Sequence, residues 1–594
     1  MNRGHAAALA ELVRPEESLN SFSYSLPKQL MIQVAQTIEE WKKSGALKSA
    51  WTGDSKVWTQ SGEEKWLGWI DIPNRELKTA NDLNQFGLKI RDAHFRHVIL
   101  LGMGGSSLCA EVLEKSFKKL SVETGFPEFR ILDSTDPTQI MDLEKSISIE
   151  DTLFIVSSKS GSTLEPNILF EYFYEVMIKV VGKSDAGMHF IAITDPGSSL
   201  ETKAKNLQFR KIFYGDPSIG GRYSILSNFG MVPAALMGVD VENLLDRTTH
   251  MVRACGVMKP IDNNPGLILG AILGTLGRNA HDKVTIITSK EIVGFGAWLE
   301  QLLAESTGKN GRGLIPIDRE EILSPENYGT DRVFAYLRLD TSSNTKLDSS
   351  VLALEKAGQP VIRISIPELY NLGQEFYRWE AATAVAGSVL NINPFDQPDV
   401  EASKIATQQL TSEYEASGKL PDELPIFQNG DFQIFIDSKH QIISGSKFTS
   451  ESKASDLLQT LIKCISPGDY FAILAYVPMN PANDEILQDI RSKILKAKRV
   501  ATCVEFGPRF LHSTGQVYKG GPNSGVFLQI TVNDSFDLTI PGHRYTFGVV
   551  KSAEARGDFS VLASRNRRAM RIHLREDSVS GLKALRREID RAVI

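Results

Sequence analysis

From about residue 96 onward, the chain alternates short apolar runs with amphipathic stretches. The intervening stretches, such as residues 107–120, repeat apolar positions with the period of a helix. Buried strands separated by helices predict a parallel sheet with helices on both faces. The predicted strands of the first series are HVILLG (97–102), FRILDS (129–134), DTLFIVSS (151–158) and MHFIAIT (188–194).

A second series of the same kind begins near Asn264, with strands predicted at 283–289, 333–339 and 360–366. The turn-rich stretch 417–431 is the best boundary before a last unit that again alternates strands and helices. We therefore predict four regions. They are an N-terminal helical arm (1–55), a first α/β domain with a serine-rich loop (56–255), a second α/β domain (256–420) and a C-terminal α/β unit (421–594).

The composition is that of an ordinary multidomain globular protein, with 594 residues and a net charge of -6. This charge gives no general attraction to nucleic acid or to acidic membranes. The four cysteines are far apart and form no CxxC pair, which argues against a disulfide framework and a zinc knuckle. There is neither a signal-peptide pattern nor an apolar run of about 18 residues, so we expect a cytoplasmic protein.

The segment 157–163 is the strongest candidate for anion binding, because it contains five hydroxyl residues and a lysine in seven positions. It leaves a predicted strand at the carboxyl end, where α/β proteins bind ligands, and it precedes a helix. It is not a Walker loop, and the alternative is a solvated loop. The candidate phosphate contacts are Ser158, Lys159, Ser160, Gly161, Ser162 and Thr163.

Two glycine-containing loops are further candidates. In the first, Gly105 and Ser106 follow a strand and open a helix, where backbone N–H groups can approach an anion; the alternative is a tight turn. A dinucleotide fingerprint would need glycine where Ser107 stands. In the second loop, Arg222 follows two glycines and could stabilise a negative charge that develops on a substrate, or form a surface ion pair.

Candidates for proton transfer lie further along the chain. Gln301 and Glu305 are four residues apart and share one helix face, and apolar neighbours would raise the pKa of Glu305 toward that of a working base. The alternative is an exposed glutamate at a helix end. Gln397 and Lys404 lie where a turn enters a helix, and His512 lies in a glycine-containing turn, although isolated residues of these types usually face solvent.

Taken together, these segments resemble the phosphoglucose isomerase family, from about residue 98 to residue 404. The motifs that carry the resemblance are GxGGSxL, SSKSGSTLE, GGRYSxxS, ESxGK and NPFDQPxVExxK. The resemblance implies an α/β fold with two tandem sugar-isomerase (SIS) domains, each a three-layer αβα sandwich with a mainly parallel sheet. It implies that Gly105, Ser106 and residues 158–163 surround the sugar phosphate, with Gln301 and Gln397 as substrate contacts. Glu305 then corresponds to the base, Arg222 to the group that steadies the enediolate, and Lys404 to the lysine near the ring oxygen.

One departure concerns the catalytic histidine, which in the family follows the base by some twenty to thirty residues. Residues 310–337 contain no histidine, but the LHSxGQ motif of bacterial members occurs at 511–516. We therefore expect the C-terminal segment to complete the second SIS domain and to supply His512. The layout is most similar to the isomerase half of bifunctional transaldolase/phosphoglucose isomerases, so a longer fused relative with a transaldolase half is possible; transaldolase activity itself is not predicted.

The resemblance implies an isomerase that interconverts D-glucose 6-phosphate and D-fructose 6-phosphate through a cis-enediol in glycolysis and gluconeogenesis. No metal or cofactor is expected, and the sequence has no HExxH motif. The alternatives are a dual phosphoglucose/phosphomannose isomerase, an amino-sugar phosphate isomerase and a non-catalytic SIS-domain sensor of sugar phosphates. The family also suggests a homodimer, in which His512 could come from either subunit.

Overall fold

The computed structural model describes residues 19–436 and 453–593, which contain three β-sheets flanked by helices. The first described strand, β1, is followed by four helices before the first parallel sheet begins. Their bounds are β1 (Ser21–Ser25), α1 (Lys28–Ser44), α2 (Ala46–Trp51), α3 (Ile72–Glu76) and α4 (Ala80–Asp92). The sequence predicts a helical arm for residues 1–55, but Ser21–Ser25 form the strand β1. Residues 1–18 lie outside the described ranges.

The first sheet is wholly parallel and has the strand order β3-β2-β4-β5-β6. All six positions of its central strand β4 are buried, because helices cover both faces of the sheet. The strands are β2 (His97–Leu101), β3 (Glu128–Leu132), β4 (Thr152–Ser157), β5 (Phe190–Thr194) and β6 (Lys211–Tyr214). The helices are α5 (Gly105–Glu123), α6 (Pro137–Ser146), α7 (Leu164–Val181), α8 (Ser199–Asn206), α9 (Asn228–Leu236) and α10 (Val241–Cys255).

The second sheet has the order β1-β10-β9-β7-β8, and only β1 is antiparallel to its neighbour. Strand β1 alternates serine with aromatic residues, a period of two that suits an edge strand. The other strands are β7 (Lys283–Thr288), β8 (Ile315–Ile317), β9 (Arg332–Leu339) and β10 (Val361–Ile366). The helices are α11 (Pro265–Arg278), α12 (Gly294–Thr307), α13 (Thr345–Lys356), α14 (Leu372–Leu390) and α15 (Pro398–Ser417).

The C-terminal segment packs on the second unit, and it does so with a sheet of its own, in the order β11-β12-β16-β15-β13-β14. Strands β13 to β16 are parallel, while β12 is antiparallel to both of its neighbours. The strands are β11 (Phe427–Gln428), β12 (Phe432–Phe435), β13 (Tyr470–Tyr476), β14 (Ala501–Phe506), β15 (Gly525–Val532) and β16 (Arg568–Leu574). The helices are α16 (Ala454–Lys463), α17 (Pro481–Lys498), α18 (Gly515–Gly520), α19 (Phe547–Ser564) and α20 (Ser578–Ala592).

Two kinds of contact hold this C-terminal unit in place. Its residues Tyr476 and Phe510 share a hydrophobic core with Ala304 of α12. In the first unit, Arg509 forms ion pairs with Glu111 of α5 and with Asp133, which follows β3, at 2.6 and 2.8 Å. The segment that follows β14 is therefore buried between the other two units, which is where residues 511–516 lie. The domain boundaries predicted from the sequence stay a prediction.

Within the described ranges, every helix is too short or too polar to cross a membrane.

Candidate active site

Helix α12 carries the two residues that the sequence places on one face. Gln301 and Glu305 are one turn apart and are 2% and 8% exposed. The side-chain amide of Gln301 donates hydrogen bonds to Glu305 Oε2, at 3.0 Å, and to the carbonyl oxygen of His512, at 2.9 Å. Glu305 is therefore a buried carboxylate in a bonded cluster, and not the exposed glutamate that was the alternative.

Arg222 approaches Glu305 from the loop that follows the first sheet. Its Nη1 lies 3.1 Å from Glu305 Oε1, and the arginine side chain is 1% exposed. Its Nε donates to Ser306 Oγ at 2.7 Å, and Nη2 donates to the carbonyl oxygens of Pro394 and Asp396. An arginine held by this many acceptors is rigidly oriented, so its charge is preorganised beside Glu305.

The loop before α15 is held against the same cluster. Gln397 Oε1 accepts a hydrogen bond from Arg222 Nη1 at 3.0 Å. Lys309 Nζ donates to the Asn393 carbonyl oxygen and lies 2.8 Å from Asp396 Oδ1. Burial, together with the charge of Arg222, lowers the pKa of Lys309 to about 7, while Asp396 opposes this shift. Lys309 thus joins the end of α12 to the start of α15.

His512 ends a short helical turn, Arg509–His512, and its imidazole contacts the first unit. Its Nε2 lies 2.6 Å from Oε1 of Glu165, a buried residue in the first turn of α7. Burial alone would raise the pKa of Glu165, but the charge of His512 and its hydrogen bond, with a contribution from Lys404, lower that pKa below the ordinary value. This contact joins residues that are 347 positions apart in the sequence.

Gln516, the last residue of the LHSxGQ motif, fixes this turn to both helices of the site. Its Oε1 accepts hydrogen bonds from the backbone N–H groups of Asp399 and Val400, at 2.9 and 3.2 Å. Its Nε2 donates to the Gly308 carbonyl oxygen at 2.8 Å. One side chain therefore satisfies unpaired backbone groups at the start of α15 and the end of α12.

A cavity of about 840 Å³ lies between the serine-rich loop, α15 and the C-terminal unit. Ser160 and Ser162 line it, with their hydroxyl oxygens 2.9 Å apart. Thr163 lines it too, and immediately precedes α7, whose N-terminal dipole favours an anion. Lys404 and His512 line the same cavity.

Other predicted phosphate contacts lie apart from the cavity lining. Lys159 Nζ forms an ion pair with Asp195 at 2.6 Å and donates to the Asp216 carbonyl oxygen. Ser158 is buried and its Oγ donates to Thr163 Oγ1 at 3.4 Å. Gly161 accepts a hydrogen bond through its carbonyl oxygen from Asn167, at 2.9 Å, which holds the loop against α7.

The two glycine loops meet at Gly105. A Cβ atom at this position would lie 2.2 Å from the carbonyl oxygen of Gly221, so only glycine allows this approach. Its neighbour Ser106 is buried in the first turn of α5. The two loops therefore bring the start of α5 next to Arg222.

Among residues 19–436 and 453–593, no three or more His, Cys, Asp and Glu side chains are grouped in a way that could hold a metal ion.

The family model for phosphoglucose isomerase matches residues 88–320, which include the serine-rich loop, Arg222 and Glu305. Over these residues the chain is similar to the phosphoglucose isomerase family. It is 28% identical over 381 residues to the probable glucose-6-phosphate isomerase of Methanococcus maripaludis, with 58% of this chain and 84% of the relative covered. It is 27% identical over 382 residues to the glucose-6-phosphate isomerase of Enterococcus faecalis, with 57% and 85% covered.

Two solved structures have a similar fold. A hypothetical protein of Thermus thermophilus matches with a TM-score of 0.56 and 22% identity, over 66% of this chain and 99% of that one. The glucose-6-phosphate isomerase of Chlamydia trachomatis matches with a TM-score of 0.53 and 20% identity, over 67% and 90%. The fold class predicted from the sequence, α/β with several units and mainly parallel sheets, is confirmed.

The predicted residues fall into two adjoining groups. Glu305, Arg222, Gln301 and Gln397 are bonded to one another, and Ser160, Ser162, Thr163, Lys404 and His512 line the cavity. The backbone of His512 joins the two groups. Their roles in catalysis and binding stay predictions.

Sequence reasoning assigned no role to four residues that the structure brings to the site. Glu165, Lys309 and Gln516 lie inside motifs that carry the family resemblance, so the motifs themselves were a signal. Glu554 lies in no recognised motif, and only the packing of α19 brings it to the cavity.

Proposed function

We propose that this protein is a glucose-6-phosphate isomerase, which interconverts D-glucose 6-phosphate and D-fructose 6-phosphate. The observation that carries the proposal is the buried Glu305, paired with Arg222 at 3.1 Å and bonded through Gln301 to the His512 turn. The phosphoglucose isomerase family model matches the segment that contains Glu305 and Arg222. An aldose–ketose isomerisation needs one base, one group that stabilises an enediolate and one group that protonates the ring oxygen. The site contains a candidate for each.

Glu305 is the proposed base. Its carboxylate takes the proton from C2 of the open-chain aldose and returns it to C1, so that a cis-enediol lies between the two sugars. Gln301 donates to one carboxylate oxygen and Arg222 contacts the other, which orients the carboxylate. The guanidinium of Arg222 is also the charge that stabilises the enediolate.

His512 is the proposed group for ring opening. Its imidazole, held by Glu165 at 2.6 Å, exchanges a proton with the ring oxygen, and Lys404 lines the same cavity. A carboxylate that holds a histidine sets the orientation of the imidazole ring. This contact supports the idea that a displaced motif supplies the histidine missing from residues 310–337.

We propose that His512 acts within its own chain, because its carbonyl oxygen accepts a hydrogen bond from Gln301 of that chain. The family suggests a homodimer, so Glu305→Gln and His512→Ala chains can be mixed under dissociating conditions and reassembled. We expect no activity beyond that of His512→Ala alone. Recovery toward the wild-type rate would show that the histidine crosses between subunits.

Ser160, Ser162 and Thr163, at the start of α7, form the proposed phosphate site. The variant Ser160→Ala/Ser162→Ala/Thr163→Val should raise KM by at least about 10-fold with kcat largely kept, since each charge-assisted hydrogen bond contributes roughly 1.5–3 kcal/mol. The matched control is Ser417→Ala, an exposed hydroxyl at the end of α15. An unchanged KM would place the phosphate elsewhere.

The function itself is tested by incubating the purified full chain with fructose 6-phosphate and measuring glucose 6-phosphate with a coupled dehydrogenase. Mannose 6-phosphate is assayed in parallel, because turnover of both would indicate a dual isomerase. Binding of fructose 6-phosphate without any turnover would contradict the proposal and favour a sugar-phosphate sensor.

A further inference from the structure

Glu554 is a buried carboxyl group of the C-terminal unit that reaches the cavity. It lies on α19, is 1% exposed and lines the cavity together with Glu165 and His512. The Thr135 hydroxyl donates a hydrogen bond to Glu554 Oε2 at 2.6 Å. The other oxygen, Oε1, is buried, and no N–H or O–H group among the described residues donates to it. Glu554 and Glu165 line the same cavity, close enough for their carboxyl groups to interact.

Two carboxyl groups in contact in a buried place cannot both be ionised, so one of them holds a proton. His512 contacts Glu165, which makes Glu165 the ionised partner. Burial, and then the charge of Glu165, raise the pKa of Glu554 well above its ordinary range. A protonated Glu554 would then have a hydroxyl group that can donate to the Glu165 carboxylate.

The other titratable groups around Glu554 do not change the conclusion that Glu554 holds the proton. Lys551, one turn earlier on α19, opposes the shift, but its ammonium group is already paired with Asp136 at 2.8 Å and with Asp534. Tyr476 faces the same space, and burial raises the pKa of its hydroxyl well above the ordinary value, so it stays neutral.

We propose that Glu554 is a positioning residue: its protonated carboxyl group donates a hydrogen bond to Glu165, which in turn holds the imidazole of His512. The inference rests on the proposed function, because it gives His512 a place in ring opening. The chain of contacts runs from Thr135, in the loop after β3, through Glu554 and Glu165 to His512. The hydrogen bond from Glu554 holds the Glu165 carboxylate so that its Oε1 stays directed at His512. Residues that hydrogen-bond to the partner of a functional histidine commonly orient it in this way.

The test compares Glu554→Gln, which keeps an N–H donor, with Glu554→Leu, which has none. Both are made in the full chain and checked for folding by thermal unfolding. Glu554→Leu should lower kcat about 10-fold at neutral pH with little change in KM, and Glu554→Gln should keep most of the wild-type rate. At alkaline pH the wild type should lose rate as Glu554 ionises, whereas Glu554→Gln should not show this loss. A wild-type kcat in the leucine variant, or equal losses in both variants, would overturn the proposal.

A second readout separates this inference from the proposed function. The protein is labelled with ¹⁵N-histidine, the His512 resonances are assigned with His512→Asn, and the ¹⁵N chemical shifts of the imidazole, which report its hydrogen bonding, are compared at one pH. These shifts should change in Glu554→Leu and stay close to those of the wild type in Glu554→Gln. If the wild type does not isomerise fructose 6-phosphate but this pattern appears, the positioning holds and the function fails. If the wild type is active and the His512 shifts are the same in all three proteins, the positioning fails.

Discussion

Helix α12 carries two glutamates whose surroundings are opposite in charge. Glu300 and Glu305 are five residues apart, so they lie on different faces of the helix. Glu305 meets the guanidinium of Arg222 at 3.1 Å and the amide of Gln301 at 3.0 Å. Glu300 instead lies near the carboxyl group of Glu505 and accepts a hydrogen bond from the backbone N–H of Asp318 at 3.3 Å.

Burial and the neighbouring carboxyl groups favour the protonated form of Glu300. Burial, followed by the charges of Glu505 and Asp318, raises the pKa of Glu300 well above its ordinary value. Burial likewise raises the pKa of Glu505 to about 7 and that of Asp318 to about 6, even though the hydroxyl of Tyr518 donates to Glu505 at 2.8 Å. Two glutamates on one helix therefore differ because of burial and of the charges that distant segments bring to them, and not because of the helix or the residue type.

The sharpest test of this difference replaces each glutamate with glutamine. Glu305→Gln should lower kcat roughly 10²- to 10⁴-fold, because the proposed base is deleted while size and polarity are kept. Glu300→Gln is the matched control, and it should leave kcat close to that of the wild type, because glutamine resembles a protonated glutamate. Steady-state assays with fructose 6-phosphate measure both. Similar losses in the two variants would contradict the distinction.

The next test removes the cation beside Glu305. Arg222→Gln leaves a buried carboxylate without its ion-pair partner, which should cost about 3–5 kcal/mol of stability. A double-mutant cycle with Glu305→Gln isolates the energy of the Arg222–Glu305 ion pair. The other contacts of Arg222 are lost whether residue 305 is glutamate or glutamine, so they cancel. We expect a coupling energy of about 1–3 kcal/mol from chemical unfolding. Additive effects would mean that the ion pair contributes nothing measurable.

The smallest expected effect is a pH dependence of stability from the carboxyl groups around Glu300. The pKa of Glu505 is raised from 4.5 to about 7, so its contribution is complete below about pH 4.5 and is lost as the pH rises through about 7. The loss is at most on the order of 3 kcal/mol. Glu505→Gln should flatten this decline in unfolding midpoints measured from pH 5 to 8, while Glu413→Gln, at an exposed position of α15, should follow the wild type. Parallel curves for wild type and Glu505→Gln would rule out this contribution.

Much of the fold could be predicted from local pattern. The apolar runs at 97–102 and 151–158 became β2 and β4, because a strand buried on both faces needs apolar side chains at almost every position. The edge strand β1 was missed, since its alternating serines and aromatics carry only a weak apolar signal. That the C-terminal unit forms a separate sheet could not be predicted from the sequence either, because strand pairing depends on contacts between distant segments.

By itself, the sequence determined the family motifs, the shared face of Gln301 and Glu305, and the candidate loops for phosphate, all of which depend on residues close together in the chain. Only the tertiary structure decided that His512 meets Glu165 across 347 positions, and that Arg222 contacts Glu305 while Glu300 is placed among carboxyl groups. The physical reason is that burial and neighbouring charge set the protonation of a side chain. Both come from packing between units, which no local spacing encodes.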